Sequence, residues 1–107
     1  MGHAIVPLDE ALALVAIDFS GRGYSIIEGG FDEKKIQELP PDLVRHFLES
    51  LAAEAKISLH VKTLAGVNDH HKAEAIFKAL AKALKDAVIV DVKVQNTAPS
   101  TKGTISD

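Results

Sequence analysis

The residues that could do chemistry are concentrated at 68–80, which carry two adjacent histidines, a glutamate and two lysines. Because the chain has no cysteine, a metal ion would have to be held by imidazole and carboxylate, which suits Mn, Fe or Zn. Residues four apart on a helix lie one above the other, so His70 and Glu74 could contact the same ion. His71 points about 100° around the axis from His70. We therefore expect the two histidines to serve different sites.

The same residues also have an ordinary structural interpretation. A histidine and a glutamate four apart on a helix often form only a surface hydrogen bond. The lysines of this stretch repel a cation, but they suit a substrate that carries an anionic group. From the residues alone, the metal site and the surface hydrogen bond both remain open.

The helix itself is predicted from its apolar spacing. Residues at intervals of three and four predict one face in the core: Ala73, Phe77, Leu80, Ala81 and Leu84. Asn68 is the expected N-cap, and Gly66 should end the strand before it.

The composition bounds the class of protein. A chain of 107 residues with 47% hydrophobic and 25% charged residues is typical of one globular domain. Its formal net charge of −3 and dispersed basic residues give no electrostatic reason to expect nucleic acid. No apolar run resembles a signal peptide or reaches bilayer-spanning length. We therefore expect no membrane association and a cytoplasmic location.

Strands are expected in the first part of the chain. Residues 4–7 predict a short strand that ends in a turn at Asp9 and Glu10, and residues 12–19 predict a well-buried strand because both of its faces are apolar. Turn residues at 20–23 and a return strand at 24–27 predict a hairpin whose loop displays Arg22. Without further information, Arg22 is an ordinary solvated turn residue.

The second part of the chain adds a helix and further strands. Pro40, Pro41 and Asp42 predict a helix start, and His46 lies off the centre of that helix's apolar stripe. Residues 57–63 alternate as a strand with His60 on the polar face, which places His60 outside the metal set. Valines alternating over 88–95 predict a last strand. The order β-β-β-α-β-α, with a possible extra strand, predicts an α+β fold with two helices on one sheet face.

Four stretches, in order, resemble one enzyme family, imidazoleglycerol-phosphate dehydratase of histidine biosynthesis. Residues 66–80 (GVNDHHKAEAIFKAL) resemble its second His-His-x-x-Glu motif. The other three are residues 6–12 (VPLDEAL) followed by 18–22 (DFSGR), the pair His46-Phe47, and residues 99–103 (PSTKG). The resemblance runs from about Gly2 to the end of the chain.

The resemblance implies a site and a reaction. It implies dimetal-assisted dehydration of imidazole glycerol phosphate to imidazole acetol phosphate, with two Mn²⁺ ions expected at subunit interfaces. Carried over residue by residue, the metal ligands His46, His70 and Glu74 would form one triad while His71 reaches the other ion, with Glu74 and His71 also in catalytic roles. The phosphate ligands are Arg22, Lys78, Ser100 and Lys102. The family's Asp-Pro is replaced here by Asp91-Val92, which leaves the local backbone there open.

The resemblance also implies an unusual organisation. The family's chains contain two similar halves, and only the second is recognised here, as a half-repeat of about four strands and two helices with the ribosomal protein S5 domain 2-like fold. Residues 1–96 are the expected domain, and residues 97–107 the expected tail and phosphate loop. The chain is expected to act as a homo-oligomer of high symmetry or with the missing N-terminal half. The alternatives are a self-assembling metal-binding half-domain without turnover and a scaffold whose histidines are incidental.

Overall fold

The computed structural model of the chain describes residues 1–32 and 40–97. Along the chain its elements are β1 (Gly2–Leu8), β2 (Ala11–Asp18), β3 (Tyr24–Glu28), α1 (Pro41–Ala55), β4 (Ser58–Ala65) and α2 (Asp69–Thr97). This confirms the predicted α+β fold and the order β-β-β-α-β-α. No helix in these two ranges is long and apolar enough to cross a membrane. The cytoplasmic location stays a prediction, as does the division into a domain of residues 1–96 and a tail.

The four strands form one mixed sheet in the order β1-β2-β4-β3. β2 pairs antiparallel with β1 and β4, whereas β3 runs parallel to β4. The predicted hairpin of β2 and β3 is therefore wrong, because β4 lies between them. After the turn, the amide of Gly21 donates to the carbonyl of Lys56 (3.0 Å) and that of Tyr24 to the carbonyl of Ile57 (3.1 Å). These bonds join the chain to the start of β4 instead of returning it along β2.

Both helices cover the same face of the sheet. In β2 and β4, alternate residues are buried beneath the helices, which gives the period of two expected of half-covered strands. The opposite face of β2 is only half-buried, so the expectation of a strand buried on both sides is wrong. His60 is exposed on the outer face, as the alternation predicted.

The buried face of α2 is displaced around the helix axis from the face that the sequence predicted. Alanines four residues apart line it: Ala75, Ala79, Ala83 and Ala87. Their small side chains allow the helix to lie close to β1, where a Cβ added at Gly2 would be 2.5 Å from the carbonyl oxygen of Ala83. Phe77 and Ala81, predicted in the core, are exposed instead.

The end of α2 overturns another prediction. Residues 88–95, expected as a strand, continue the helix to Thr97. Residues 69–97 contain neither Gly nor Pro, so no residue type that ends helices interrupts them. Strand propensity is strongly context-dependent, and the valine alternation here was outweighed by the helix that precedes it.

Two leucines on β4 test this description of the core. Leu59 is fully buried, while Leu64 is 42% exposed. Replacing Leu59 by Ala should lower the free energy of unfolding by about 2–5 kcal/mol, because it leaves a cavity beneath the helices. The matched change Leu64→Ala should cost less than about 1 kcal/mol. Urea unfolding of both variants measures the difference, and equal losses would contradict the assigned register.

Candidate functional site

The turn that enters α2 fixes the position of the motif. The side-chain Oδ1 of Asn68 accepts the amide of His71 at 2.9 Å, which confirms Asn68 as the N-cap. Gly66 before it has φ +152°, and a Cβ there would lie 2.7 Å from Cγ of Lys72. The close packing around Gly66 and the cap on Asn68 place His70, His71 and Glu74 in the first two turns of the helix.

His70 and Glu74 lie together, as their spacing predicted. Nε2 of His70 is 3.4 Å from Oε1 of Glu74, and both side chains are partly exposed. The other oxygen of Glu74 is 3.2 Å from Nζ of Lys78. The Glu74 carboxylate therefore lies between an imidazole and an ammonium group, at a surface that a ligand can reach.

His71 has different partners, at the turn between β1 and β2. Its Nδ1 lies 2.8 Å from Oε1 of Glu10, and its Nε2 lies 3.5 Å from Oδ2 of Asp9. The second oxygen of Glu10 accepts the amides of Val67 (3.0 Å) and Asn68 (2.7 Å). The two adjacent histidines therefore face different groups, as predicted.

Sequence reasoning missed the role of Glu10. The residue was assigned only to a turn, since 61 positions separate it from His71 and no local pattern links the two. The β1–β2 turn instead places its carboxylate over the start of α2.

These contacts shift two pKa values in opposite directions. The hydrogen bonds from the amides of Asn68 and Val67, and then that from His71, lower the pKa of Glu10 to about 2. The hydrogen bond to Glu10 raises the pKa of His71. Desolvation opposes this rise, and the charges of Glu10, Asp9 and Glu74 add to it. The pair therefore favours an ionised Glu10 and a His71 that holds its proton more tightly than usual.

Lys72 has a buried role that its sequence position did not suggest. Its side chain is 6% exposed, and Nζ lies 3.4 Å from a carboxylate oxygen of fully buried Asp69 and 3.4 Å from one of Asp32. Nζ also donates to the carbonyl of Gly30 at 3.1 Å. Of the motif's two lysines, only Lys78 is exposed to an anionic ligand. Lys72 instead joins Gly30 and Asp32, which follow β3, to α2.

The remaining predicted ligands are dispersed. His46 is exposed on α1, beside Phe47, whose ring lies 5.8 Å from that of Phe77 on α2. Arg22 is exposed in its turn, where its amide donates to Oγ of Ser20. The predicted phosphate ligands Ser100 and Lys102 lie outside the described residues.

The predicted metal triad is not assembled within one chain. Within residues 1–32 and 40–97, no three His, Asp or Glu side chains are grouped so that they could hold a metal ion. The structure brings His70 and Glu74 together but does not group His46 with them. A complete coordination shell would need further ligands.

Comparison with known proteins identifies relatives of the whole chain. The family described as imidazoleglycerol-phosphate dehydratase matches residues 1–84. A protein of that name from Dehalococcoides mccartyi is 50% identical over all 107 residues, which are 55% of the relative's length. One from Methanothermobacter thermautotrophicus is 50% identical over 103 residues, 96% of this chain and 51% of the relative.

Solved structures agree with this match. The crystal structure of imidazoleglycerol-phosphate dehydratase from Staphylococcus aureus superimposes with a TM-score of 0.78 and 36% identity, covering 80% of this chain and 50% of that one. The enzyme from Pyrococcus furiosus gives a TM-score of 0.74 and 37% identity, covering 80% and 48%. The chain thus spans about half the length of the relatives it matches.

The Glu10–His71 pair predicts a characteristic pH dependence of stability in the metal-free chain. The pKa of Glu10 is lowered on folding from 4.5 to about 2, so its contribution is present above pH 4.5 and lost as the pH falls towards 2. The pKa of His71 is raised above 6.5, so its contribution is complete below pH 6.5 and lost as the pH rises through the folded value. The stability lost in Glu10→Gln should therefore be largest between pH 4.5 and 6.5. Urea unfolding across pH measures it, with exposed Glu54→Gln as the control; a loss independent of pH would contradict the assignment.

Proposed function

The chain belongs to the imidazoleglycerol-phosphate dehydratase family, and from this membership we propose that it is a half-length unit of such an enzyme. Assembled copies would remove water from imidazole glycerol phosphate and form imidazole acetol phosphate. The observation that carries the proposal is the cluster at the start of α2, where His70 pairs with Glu74 and His71 with Glu10. This cluster lies inside the part of the chain that matches the family.

His70 and Glu74 could supply part of the coordination shell of a divalent metal ion. An imidazole and a carboxylate are ligands that Mn²⁺ accepts, and those of His70 and Glu74 are adjacent and partly exposed. Lys78 contacts Glu74, so ion binding would release this lysine for another anion. We propose that His46 and His71, from the same or a neighbouring copy, complete two Mn²⁺ sites at subunit interfaces.

Bound Mn²⁺ would supply Lewis acidity to the imidazole ring of the substrate. The chain's own groups then have separate tasks. Glu74 can take the proton lost from the substrate's side chain, and a proton delivered by Glu74, or by His71 in a copy where it holds no ion, lets the departing hydroxide leave as water. The resulting enol becomes the ketone of the product. Both residues lie in the first two turns of α2, so proton transfer and substrate positioning would occur at the same end of the helix.

The phosphate of the substrate would be bound by cationic and hydroxyl donors. Lys78 is exposed on the same face of α2 as Glu74, four residues further along, and Arg22 is exposed in its turn. Charge-assisted hydrogen bonds from such groups bind phosphate strongly. We include Ser100 and Lys102 of the tail in this proposal from the resemblance alone.

Assembly would supply what one chain lacks. Copies of this chain would take the place of the relatives' other half, since the chain spans about half the length of those relatives. A groove between the helices exposes apolar side chains at Leu43 (50%), Phe47 (48%) and Phe77 (37%). Removing such a surface from water stabilises association. His46, adjacent to Phe47 on α1, would then be near an interface.

A self-assembling metal-binding half-domain without turnover is the second candidate. It is favoured because the chain spans about half the length of its relatives, and their other half would be expected to form part of the substrate pocket. Metal binding without product from imidazole glycerol phosphate would identify it. A purified assembly without bound metal would instead support the third alternative, a scaffold whose histidines bind no ligand.

The metal proposal predicts a selective loss of ion binding. Replacing His70 by Ala should lower Mn²⁺ content sharply and abolish dehydration, while His60→Ala, on the outer face of the sheet, should leave both unchanged. Elemental analysis of the purified assembly and a product assay make the measurement, and circular dichroism checks that each variant folds. Full metal content in His70→Ala would contradict the ligand assignment.

The assembly proposal predicts that metal and association are linked. Ligands from two chains meet only in the oligomer, so ion binding should stabilise it by mass action. Chelation, or His71→Ala, should shift the mass measured by light scattering towards smaller species, and added Mn²⁺ should restore the wild-type oligomer after chelator removal. A stable monomer with full metal content would show that each chain builds its sites alone.

A further inference from the structure

Glu10 is held by the backbone at the entrance of α2 and contacts an imidazole with its remaining oxygen. We propose that Glu10 is a positioning residue, which fixes His71 in the tautomer protonated at Nδ1 and leaves Nε2 as the nitrogen that binds a metal ion. The metal part of this inference rests on the proposed function. The tautomer part concerns the metal-free chain.

The first step is the immobilisation of the carboxylate. Oε2 of Glu10 accepts two backbone amides, those of Val67 and Asn68. Glu10 itself follows Asp9, which has φ +50°, a left-handed conformation that sharpens the β1–β2 turn. The position of the Glu10 carboxylate is therefore set by two backbone hydrogen bonds and by the conformation of the β1–β2 turn. It needs no ligand to order it.

The second step is the choice of the ring nitrogen that carries hydrogen. An ionised carboxylate can only accept hydrogen bonds. Oε1 of Glu10 lies 2.8 Å from Nδ1 of His71, so this contact is a hydrogen bond only when Nδ1 carries the proton. In the neutral ring the lone pair is then on Nε2.

The third step is the direction of the free nitrogen. The amide of His71 is bound by the N-cap Asn68, and its ring by Glu10, so backbone and ring are both fixed. Nε2 faces the β1–β2 turn, with Oδ2 of Asp9 at 3.5 Å. This distance is longer than an ordinary N–H···O hydrogen bond, so Asp9 does not require a proton on Nε2, while its negative charge favours a cation there. His70 differs, because it contacts Glu74 through its Nε2.

This arrangement has the form of a carboxylate–histidine–metal triad. In such triads the outer carboxylate orients the imidazole and raises its basicity, and its removal costs about 10–100-fold in metal affinity. Glu10 would thus act on the ion through His71 and not as a ligand itself.

Nitrogen NMR of the metal-free chain tests the tautomer. In ¹⁵N-labelled wild-type protein above the pKa of His71, we expect a protonated Nδ1 and an unprotonated Nε2. Glu10→Gln should populate the other tautomer, whereas Glu54→Gln, an exposed carboxylate on α1, should change nothing. A wild-type His71 protonated at Nε2 would overturn the inference without the need for any variant.

Mn²⁺ titration tests the role of Glu10 in metal binding. Glu10→Gln should weaken binding by about 10–100-fold, and Glu54→Gln should not. In a His71→Ala background the same Glu10→Gln change should have little further effect, because Glu10 acts through His71. An equal loss in both backgrounds, or none in either, would overturn the positioning role.

The two arms separate this inference from the proposed function. A wild-type assembly that binds no Mn²⁺ but has His71 protonated at Nδ1 would overturn the metal assignment and support the positioning of the ring. Bound Mn²⁺ with the opposite tautomer would support the metal site and overturn the role of Glu10.

Discussion

The hydrogen bonds of the Glu10 carboxylate connect the β1–β2 turn to the start of α2, and these two segments together form the candidate site. Glu10 comes from the β1–β2 turn and binds the backbone of Val67 and Asn68, where β4 has ended and α2 is about to begin. Helix N-termini leave several backbone amides without partners, and here the cap Asn68 and the carboxylate of Glu10 accept three amides of the entrance. The directions of His70, His71 and Glu74 follow from where the helix starts. Any metal or substrate chemistry at this place would therefore depend on a turn far away in sequence.

A buried ion pair fixes the same entrance from the other side. Lys72 and Asp69 are both buried on the first turn of α2. Lys72 also donates a hydrogen bond to the carbonyl of Gly30, which follows β3. Removing one member of a buried pair leaves an uncompensated charge and typically costs about 3–5 kcal/mol. The pair is consequently better suited to hold the loop and helix in one arrangement than to bind an anion. Lys78, six residues further along the helix, is exposed and therefore better suited to bind an anion.

The parts of the site that sequence could predict are those set by local spacing. The cap at Asn68 and the pairing of His70 with Glu74 follow from helical periodicity. The hairpin of β2 and β3 was wrong, because strand order depends on long-range pairing with β4, and the strand at 88–95 was wrong because neighbouring helix outweighed local propensity. Phe77 was assigned to the core because it lies at helical spacing from Ala73 and Leu80, whereas the alanines that do face the sheet carry little signal in a periodicity argument. The role of Glu10 was missed because, like the strand order, it depends on contacts between residues far apart in sequence.

The geometry of the two histidines limits what a single copy can do. His70 is directed to Glu74 and His71 to Glu10 and Asp9, and adjacent residues on a helix do not face each other. One helix thus presents two separate groups of possible ligands, and within residues 1–32 and 40–97 no three His, Asp or Glu side chains are placed so that they could hold a metal ion. Under the proposed function, a repeated copy would be the simplest source of the complementary ligands, because symmetry would place the same two groups of ligands on every copy. In such an assembly the spacing of two histidines along one helix would determine both how ions are bound and how the copies are joined.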